Sequence, residues 1–407
     1  MKLLILTQYF PPEVGAPQNR LFELAVRLQK LGVDITVITA MPNYPQMEVY
    51  SGYKGKKYAF EDMQGLKVHR SFIYVSKNRS IVSRLRNYFS FVWSSALTSA
   101  KLEKQYDFLF CESPPLFLGY SALYLSRRKK ARLIFNVSDL WPESAEKLGV
   151  VNNRFLLQQA YKLEEKLYKR SVLVTGQTQG ICESIRTRFP GVRTYWLPNG
   201  VDLSFYDPDR IQKGKWRKGN GYKENDIIFL YAGIIGIAQG LDVILKAAER
   251  LKTESQIQFV LMGAGPEKER LLQLKTELGL KNVQFFEAVP KSEMPFILKD
   301  VNAAIIPLRK LELFLGAIPS KIFESLAMRL PLILGVEGEA KQLFIDTALA
   351  GIAFTPEDHD QLAHAVKKLL NEPELSDLMG DRGRKYVIEK FNREKIAADL
   401  LSELKKL

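Results

Sequence analysis

Histidine is almost missing from this chain of 407 residues. The three present, His69, His359 and His364, lie away from the strand-end turns described below, which argues against a His-rich metal site. Cysteine is scarcer still. Cys111 and Cys182 show no paired spacing, which fits a reducing compartment, and both are expected as small core residues. No run of about 18 apolar residues occurs, so no transmembrane helix is expected. The opening Met1-Lys2-Leu3-Leu4-Ile5-Leu6 is too short for a signal peptide, and Gln8 and Pro11-Pro12 follow directly. It reads as a first buried strand. Compositional signs of disorder are absent too: 46% of residues are hydrophobic, enough for two cores, and the length suits two domains of about 100–200 residues each.

Charge is not lacking, and its placement is informative. The net charge is +14; residues 1–200 hold 29 Lys+Arg against 15 Asp+Glu, which leaves the remainder balanced at 30 against 30. An excess confined to the N-terminal half points to an anionic partner there: nucleic acid, an anionic membrane or a phosphorylated substrate. Residues 78–106 are the membrane candidate. Arg79, Arg84, Arg86, Lys101 and Lys104 flank Tyr88, Phe89, Phe91, Val92, Trp93 and Leu97. Basic residues around an aromatic-rich helix suit an anionic bilayer, at about 1 kcal/mol per Lys or Arg near its surface. A second basic run, Arg127-Arg128-Lys129-Lys130-Ala131-Arg132, ends the next helix. The alternative is a helix whose aromatics face the core and whose charges are solvated; the half-chain excess favours the membrane.

The stretch that organises the chain is Ala317-Ile318-Pro319-Ser320-Lys321-Ile322-Phe323-Glu324-Ser325-Leu326-Ala327-Met328, followed by the apolar Leu330-Pro331-Leu332-Ile333-Leu334. It reads as a loop running into a helix N-terminus, with Pro319 setting φ for entry and Ser320 as N-cap. Free N–H groups at such an end favour an anion, and Lys321 adds a full positive charge. Glu324 lies one turn further on, where its carboxylate can accept from two vicinal hydroxyls such as those of a ribose. A phosphate cradle beside a diol acceptor suits a nucleotide diphosphate-sugar. The plain alternative is a capped amphipathic helix with solvated Lys and Glu.

Pro-Ser-Lys-x-x-Glu-x-x-Ala before an apolar strand resembles the donor-site helix of family 4 glycosyltransferases, which are retaining enzymes of the GT-B fold. The branch that looks most similar transfers N-acetylfucosamine or N-acetylglucosamine in bacterial surface polysaccharide assembly. The resemblance implies an α/β protein of two Rossmann-like, doubly wound domains facing across a cleft, with a C-terminal helix crossing back to the first domain. The expected boundaries are 1–197, a joint at 198–202, 203–390, and a crossing helix at 391–407.

The residues agree with that expectation on their own terms. Lys2 to Thr7 reads as a strand, Asn19 to Leu31 as a helix ended by Gly32, and Asp34 to Ala40 as a second strand, which makes a βαβ unit. The loop between them, with Glu13 and Gly15, leaves the carboxyl end of a strand, where open α/β sheets bind ligands. The resemblance places Gly15 at the donor and Glu13, with Asn43 and Tyr44 of Pro42-Asn43-Tyr44-Pro45, on the acceptor side. Strands at Asp107 to Cys111 and Leu133 to Val137 run into Glu112-Ser113-Pro114-Pro115 and Ser138-Asp139-Leu140-Trp141-Pro142-Glu143. Asp139 and Glu143 are paired carboxylates at such an end. Asp139 is the candidate to engage the acceptor hydroxyl as base or orienter, or to cap the helix after it; the two roles are not exclusive. Many family members carry a His before this Asp, where this chain has Val137-Ser138.

Strands at Ser171 to Thr175 and Thr194 to Leu197 close the half, and Pro198-Asn199-Gly200-Val201-Asp202 marks the turn between halves. The alternation then restarts with strands at Ile227 to Tyr231, Ile257 to Met262, Val283 to Phe286 and Ala303 to Pro307. Gly263-Ala264-Gly265-Pro266 is not a Gly-x-Gly-x-x-Gly, since Lys268 stands at the last position, so no nicotinamide site is read there. Ala288 and Val289 match the family stretch whose backbone holds uracil. Asn371 to Leu407 reads as two or three helices broken near Phe391-Asn392.

Two departures from the family bear on the donor site. The acidic residue usual eight positions before Glu324 is Gly316 here, so backbone groups of Leu315 to Ile318, Ala317 among them, are the expected sugar contacts. The usual Arg and Lys after the first strand of the second domain are Ile234 and Gln239. Stabilising a departing diphosphate is worth about 3–4 kcal/mol per donor. Lys321 with the Ser320 helix end is the expected replacement, Arg309 the second choice, and Gly236, Gln239 and Gly240 neutral phosphate contacts. No Asp-x-Asp stands near this site, so no metal and no other cofactor is expected. The function implied is transfer of an N-acetylated hexosamine from a UDP-sugar to a polyprenyl-diphosphate-linked saccharide at the cytoplasmic face of the membrane, with Lys321, Asp139 and Glu324 as catalytic candidates. The rivals are a UDP-sugar 2-epimerase of the same fold, which would convert its substrate without an acceptor, and a non-enzymatic binder of nucleic acid or lipid. The neutral second half weighs against the last, and no nucleic-acid partner is expected. No motif speaks to oligomeric state.

Overall fold

A computed structural model describes residues 1–407 apart from Val14, Arg79, Leu148, Val150 and Asn152 and the side chains of Ala16 and Ile81. The chain divides into two compact units, Met1–Asn199 with Arg393–Leu407, and Gly200–Asn392.

In the first unit the strands are β1 (Lys2–Leu6), β2 (Asp34–Ala40), β3 (Tyr58–Met63), β4 (Leu66–Ser71), β5 (Phe108–Ser113), β6 (Arg132–Val137), β7 (Leu173–Gly176) and β8 (Thr194–Trp196). They form one sheet in the order β3-β4-β2-β1-β5-β6-β7-β8, parallel except for the antiparallel β3–β4 pair. The parallel strands are near-continuous apolar runs because both sheet faces are covered. Leu4, Leu6, Leu109 and Cys111 enter one core, and Leu3, Ile5, Phe108 and Phe110 the other. Cys182 is buried as well. The helices are α1 (Ala16–Lys30), α2 (Ile81–Thr98), α3 (Leu118–Arg128), α4 (Glu143–Lys147), α5 (Arg154–Arg170) and α6 (Gln179–Arg188). Polar side chains fix several of their starts: Ser80 accepts the Ser83 N–H, Asn153 that of Leu156, and Thr178 that of Ile181.

The second unit holds β9 (Ile227–Ala232), β10 (Ile257–Met262), β11 (Val283–Phe286), β12 (Ala303–Pro307), β13 (Leu332–Gly335) and β14 (Gly351–Ala353), ordered β11-β10-β9-β12-β13-β14 and all parallel. Its helices are α7 (Lys215–Gly219), α8 (Asp242–Arg250), α9 (Lys268–Glu277), α10 (Met294–Asp300), α11 (Lys321–Ala327), α12 (Glu339–Lys341), α13 (His359–Asn371) and α14 (Pro373–Lys390). Arg217 ties this unit's entry segment down: its guanidinium donates to the carbonyls of Glu224, Asp226 and Asp300 and to Asn302 Oδ1.

Three strands lie outside the sequence reading, β3 and β4 of one hairpin and the short β14, as do helices α5, α6, α7, α12 and α13. The hairpin turns at Gln64-Gly65, both with positive φ, which matches a tight two-residue connection without the usual Asn-Gly signal.

The last helix, α15 (Arg393–Lys405), belongs to the first unit. Ile396, Ala397, Leu400, Leu401 and Leu404 are buried in the same core as Leu21, Ala25 and Leu28 of α1. Ion pairs of Arg27 with Glu394 at 2.9 Å and of Arg393 with Glu23 fix the register. Leu400 is fully buried. Leu400→Ala should therefore destabilise the first unit by about 2–5 kcal/mol, read as a lowered denaturation midpoint of that unit alone.

Candidate active site

In the second unit three loops leave the carboxyl ends of adjacent strands: residues 233–240 after β9, 263–267 after β10 and 308–320 after β12. The first two touch backbone to backbone. A Cβ on Gly263, whose φ is +150°, would stand 1.8 Å from the Gly233 carbonyl oxygen, so no other residue allows this contact. The Gly233 N–H donates to Met262 O at 2.9 Å and the Ile235 N–H to Ala264 O at 2.9 Å.

Lys321, the first residue of α11, reaches under this loop. Its Nζ lies 3.8 Å from the centre of the Tyr231 ring, and 2.7 Å from where a Cβ on Gly233 would be. Tyr231 is held in turn by its hydroxyl, which donates to Ile234 O at 2.5 Å. Among the described residues no hydrogen-bond acceptor is assigned to this ammonium. Burial pushes the Lys321 pKa down to about 7, against the pull of the nearby Glu324 carboxylate. The ring face and the Glu324 carboxylate thus stabilise the ammonium, but by less than its burial costs.

Ser320 corrects one sequence expectation. It stands at the cap position but is itself helical, and its side chain makes no cap bond. The Ile322 and Phe323 N–H groups donate instead to Pro319 O and Ser320 O, at 3.1 Å each. A tightened first turn therefore replaces the side-chain cap. Glu324 sits half-buried one turn on, as expected.

The remaining candidates gather near this turn with different degrees of freedom. Gly236, Gln239 and Gly240 lie in the 233–240 loop, and Gly316 and Ala317 in the loop before α11, where Ala317 N–H donates to Phe314 O at 2.9 Å. Arg309, expected as a second cation, is already engaged. It donates from Nε to Ile237 O at 2.9 Å, pairs with Glu357 at 2.7 Å and lies 3.6 Å from Asp242. It braces the 237–240 turn and has little charge left for a ligand. Ala288 and Val289 follow β11 in an open segment whose backbone takes part in none of the hydrogen bonds among the described residues. Ile234 and Ile237 are 66% and 63% exposed, so the turn presents apolar side chains where charge was sought.

In the first unit the acceptor-side candidates separate by role. Glu13 is buried and accepts N–H groups of Asn43 at 2.7 Å, Tyr44 at 2.9 Å and Phe10 at 3.3 Å. Burial pushes its pKa up, while these N–H groups oppose the rise. It stitches two strand-end loops together rather than facing a ligand. Asn43 is likewise buried, donating to Met41 O at 2.9 Å. Tyr44 is exposed, edge-on to Tyr9 at 6.0 Å. Asp139 accepts from Ser144 Oγ at 2.8 Å, a side-chain tether to α4 in place of the expected cap on its N–H groups, and remains half-exposed. Glu143 pairs with Lys147 at 2.8 Å. Gly15 precedes α1 with an extended φ of 179°.

Beneath Asp139 lies a network that sequence reasoning passed over. Arg20 Nη2 donates to Glu112 Oε1 at 2.6 Å and to Ser138 Oγ at 2.8 Å; Ser138 donates to Glu112 at 2.5 Å; Asn136 donates to Glu112 Oε2 at 2.7 Å; Thr175 donates to Asn136 at 2.6 Å. The available signal was a polar residue near the carboxyl end of each of three buried parallel strands.

On α2, Val82, Phe89, Trp93 and Leu97 share one face and are 43–71% exposed, with Arg84 and Arg86 exposed beside them, while Phe91 is core. Arg79 lies outside the described residues. No helix is long and apolar enough to cross a membrane, and no cluster of three His, Cys, Asp or Glu that could hold a metal occurs among the described residues.

Comparison with known proteins agrees with this architecture. The family described as Glycosyltransferase Family 4 matches residues 18–205, and that described as Glycosyl transferases group 1 matches residues 212–386. The chain is 25% identical over its full length, and that of the relative, to the putative colanic acid biosynthesis glycosyl transferase WcaI of Escherichia coli K12. It is 22% identical to the O-antigen chain mannosyltransferase C of Escherichia coli, over 96% of this chain and 94% of that one. The crystal structure of HepE of Anabaena with UDP and glucose superposes with a TM-score of 0.72 at 16% identity over 100% of both chains.

The buried ammonium yields a test that needs no ligand. A lysine whose pKa falls on folding destabilises the fold fully below about pH 7, and the penalty fades as pH rises toward 10.5. Lys321→Met should raise the melting temperature of the second unit near neutral pH and lose that advantage above pH 10.5. An equal effect at both pH values would show that the ammonium is not desolvated.

Proposed function

The chain belongs to glycosyltransferase family 4, and on that premise we propose that it is a retaining enzyme that moves an N-acetylated hexosamine from a UDP-sugar to a polyprenyl-diphosphate-linked saccharide in surface polysaccharide assembly. The observation that carries this reading is the Lys321 ammonium over Tyr231, a desolvated cation at the foot of a glycine-lined turn that the nearby Glu324 carboxylate offsets only in part. A diphosphate supplies the remaining negative charge. Lys321 then stabilises charge on the departing UDP, together with those N–H groups of the 233–240 loop not already bound to Met262, Ala264, Gly236 and Ile237 carbonyls, which is the largest catalytic contribution in sites of this kind. Glu324 accepts from the ribose hydroxyls, and Ala288 and Val289 offer backbone to the uracil. The acceptor hydroxyl attacks on the face from which UDP leaves, passing its proton to a donor phosphate oxygen. Asp139 orients that hydroxyl.

Surface-polysaccharide relatives and a structural neighbour bound to UDP support the reading. The N-terminal charge excess and the exposed α2 stripe support attachment of the first unit to the cytoplasmic face of an anionic membrane, where a lipid-linked acceptor resides.

Bound diphosphate favours the ammonium form of Lys321, so binding above about pH 7 takes up a proton. UDP affinity should fall as pH rises through about 7, and calorimetry in two buffers of different ionisation enthalpy should show the uptake. Lys321→Ala should abolish both and reduce transfer on the order of 100- to 1000-fold. In a thermal-shift panel, UDP and UDP-N-acetylglucosamine should stabilise the protein and GDP-mannose should not; the opposite pattern would refute the donor assignment.

A further inference from the structure

The first unit carries a feature that none of the strand-end turns uses. Between α3 and α5 lies an open notch of about 620 Å³, lined by Tyr120, Leu123, Tyr124, Arg127, Arg128 and Lys166. Its three cations have no acidic partner among the described residues, although Lys169 on the same α5 pairs with Glu165 at 2.5 Å. Two of them end α3, where its dipole favours positive charge, while Lys166 stands just before the last turn of α5, where that support is weaker. Three like charges converging on one hollow repel one another unless an anion enters. Tyr120 and Tyr124, four residues apart on α3, are 43% and 48% exposed. The Tyr120 ring lies 6.3 Å from that of Phe89, so the notch continues into the apolar stripe of Val82, Phe89, Trp93 and Leu97.

We propose that this notch seats the phosphate of an anionic membrane phospholipid, with Arg127, Arg128 and Lys166 on its oxygens and the two tyrosines at the level where headgroup meets acyl chain. The inference rests on the membrane attachment proposed above and narrows it from diffuse attraction to a defined headgroup site. A nucleic acid would satisfy the cations but leave the aromatic stripe in water; a bilayer covers both. The diphosphate of the acceptor is not the occupant. Arg127 lies nine residues beyond Leu118, roughly 14 Å along the helix from the end that follows the β5 strand-end turn. The notch therefore takes bulk lipid and anchors the protein away from the chemistry.

The test is vesicle co-sedimentation of the full chain, with phosphatidylcholine alone and with equal parts phosphatidylcholine and phosphatidylglycerol. The triple variant Arg127→Gln, Arg128→Gln, Lys166→Gln should bind the anionic vesicles about 100-fold less tightly than the parent. A charge-matched control on exposed residues away from α2, α3 and α5, Lys30→Gln, Lys57→Gln, Lys405→Gln, should lose at least tenfold less. Both should keep the parent's circular dichroism and its thermal shift with UDP, which reports on the other unit. Equal losses in the two triples would overturn the headgroup site and leave general membrane attraction standing. If the parent fails to prefer anionic vesicles, or Trp93→Ser leaves binding unchanged, the membrane reading falls and the notch with it.

Discussion

A lysine ammonium set against an aromatic face, beside bare glycine backbone, is costly to keep. The ring returns only about 0.5–2 kcal/mol, less than the desolvation that pulls the Lys321 pKa down to about 7. Its position follows from the loops around it. Gly263 lets the β10 turn lie on the β9 turn, Gly233 leaves room for the lysine tip, and Arg309 fixes the 237–240 segment to Glu357. The second unit thus maintains a charge at a cost in stability, and on the proposed reading a diphosphate would relieve that cost. Such preorganisation is how electrostatic stabilisation is supplied without reorganisation at the moment of reaction.

The first unit follows a different plan. Its strand-end turns are held by buried carboxylates. Glu13 gathers the N–H groups of two loops, and Glu112 gathers Arg20, Ser138 and Asn136. Exposed Tyr44 and half-exposed Asp139 then stand on rigid supports. The polar residues most deeply placed are scaffolding, and those left open are the ones able to meet a ligand.

Sequence alone made the architecture legible, because parallel strands buried on both faces are written as short apolar runs punctuated by turns. It also located α11, Lys321 and Glu324. The β3–β4 hairpin escaped because Tyr58 to Met63 is half-buried along most of its length and its turn is Gln64-Gly65. Ser320 had the right chemistry for a cap, but the tightened turn at Pro319 removed the need. Arg309 carried the right charge, and only the fold brings Glu357 and Asp242 to it. Glu13 looked available because sequence does not reveal that two later residues turn their N–H groups toward it. The ring beneath Lys321 was hidden for the same reason: Tyr231 precedes it by 90 residues. Periodicity reports which residues are inside, whereas the state of a charge depends on neighbours that sequence order does not supply.

The docking of α15 on α1 has a consequence for biosynthesis. The first unit is completed by residues that are translated only after the whole second unit, since Ile396, Leu400 and Leu404 finish the core begun by Leu21 and Leu28. Until α15 is made, that unit waits with an uncovered apolar seam while the whole second unit is synthesised. A nonsense codon anywhere before Arg393 would therefore leave an unfinished first unit, a ready target for chaperones and proteases even where the donor-side unit is whole.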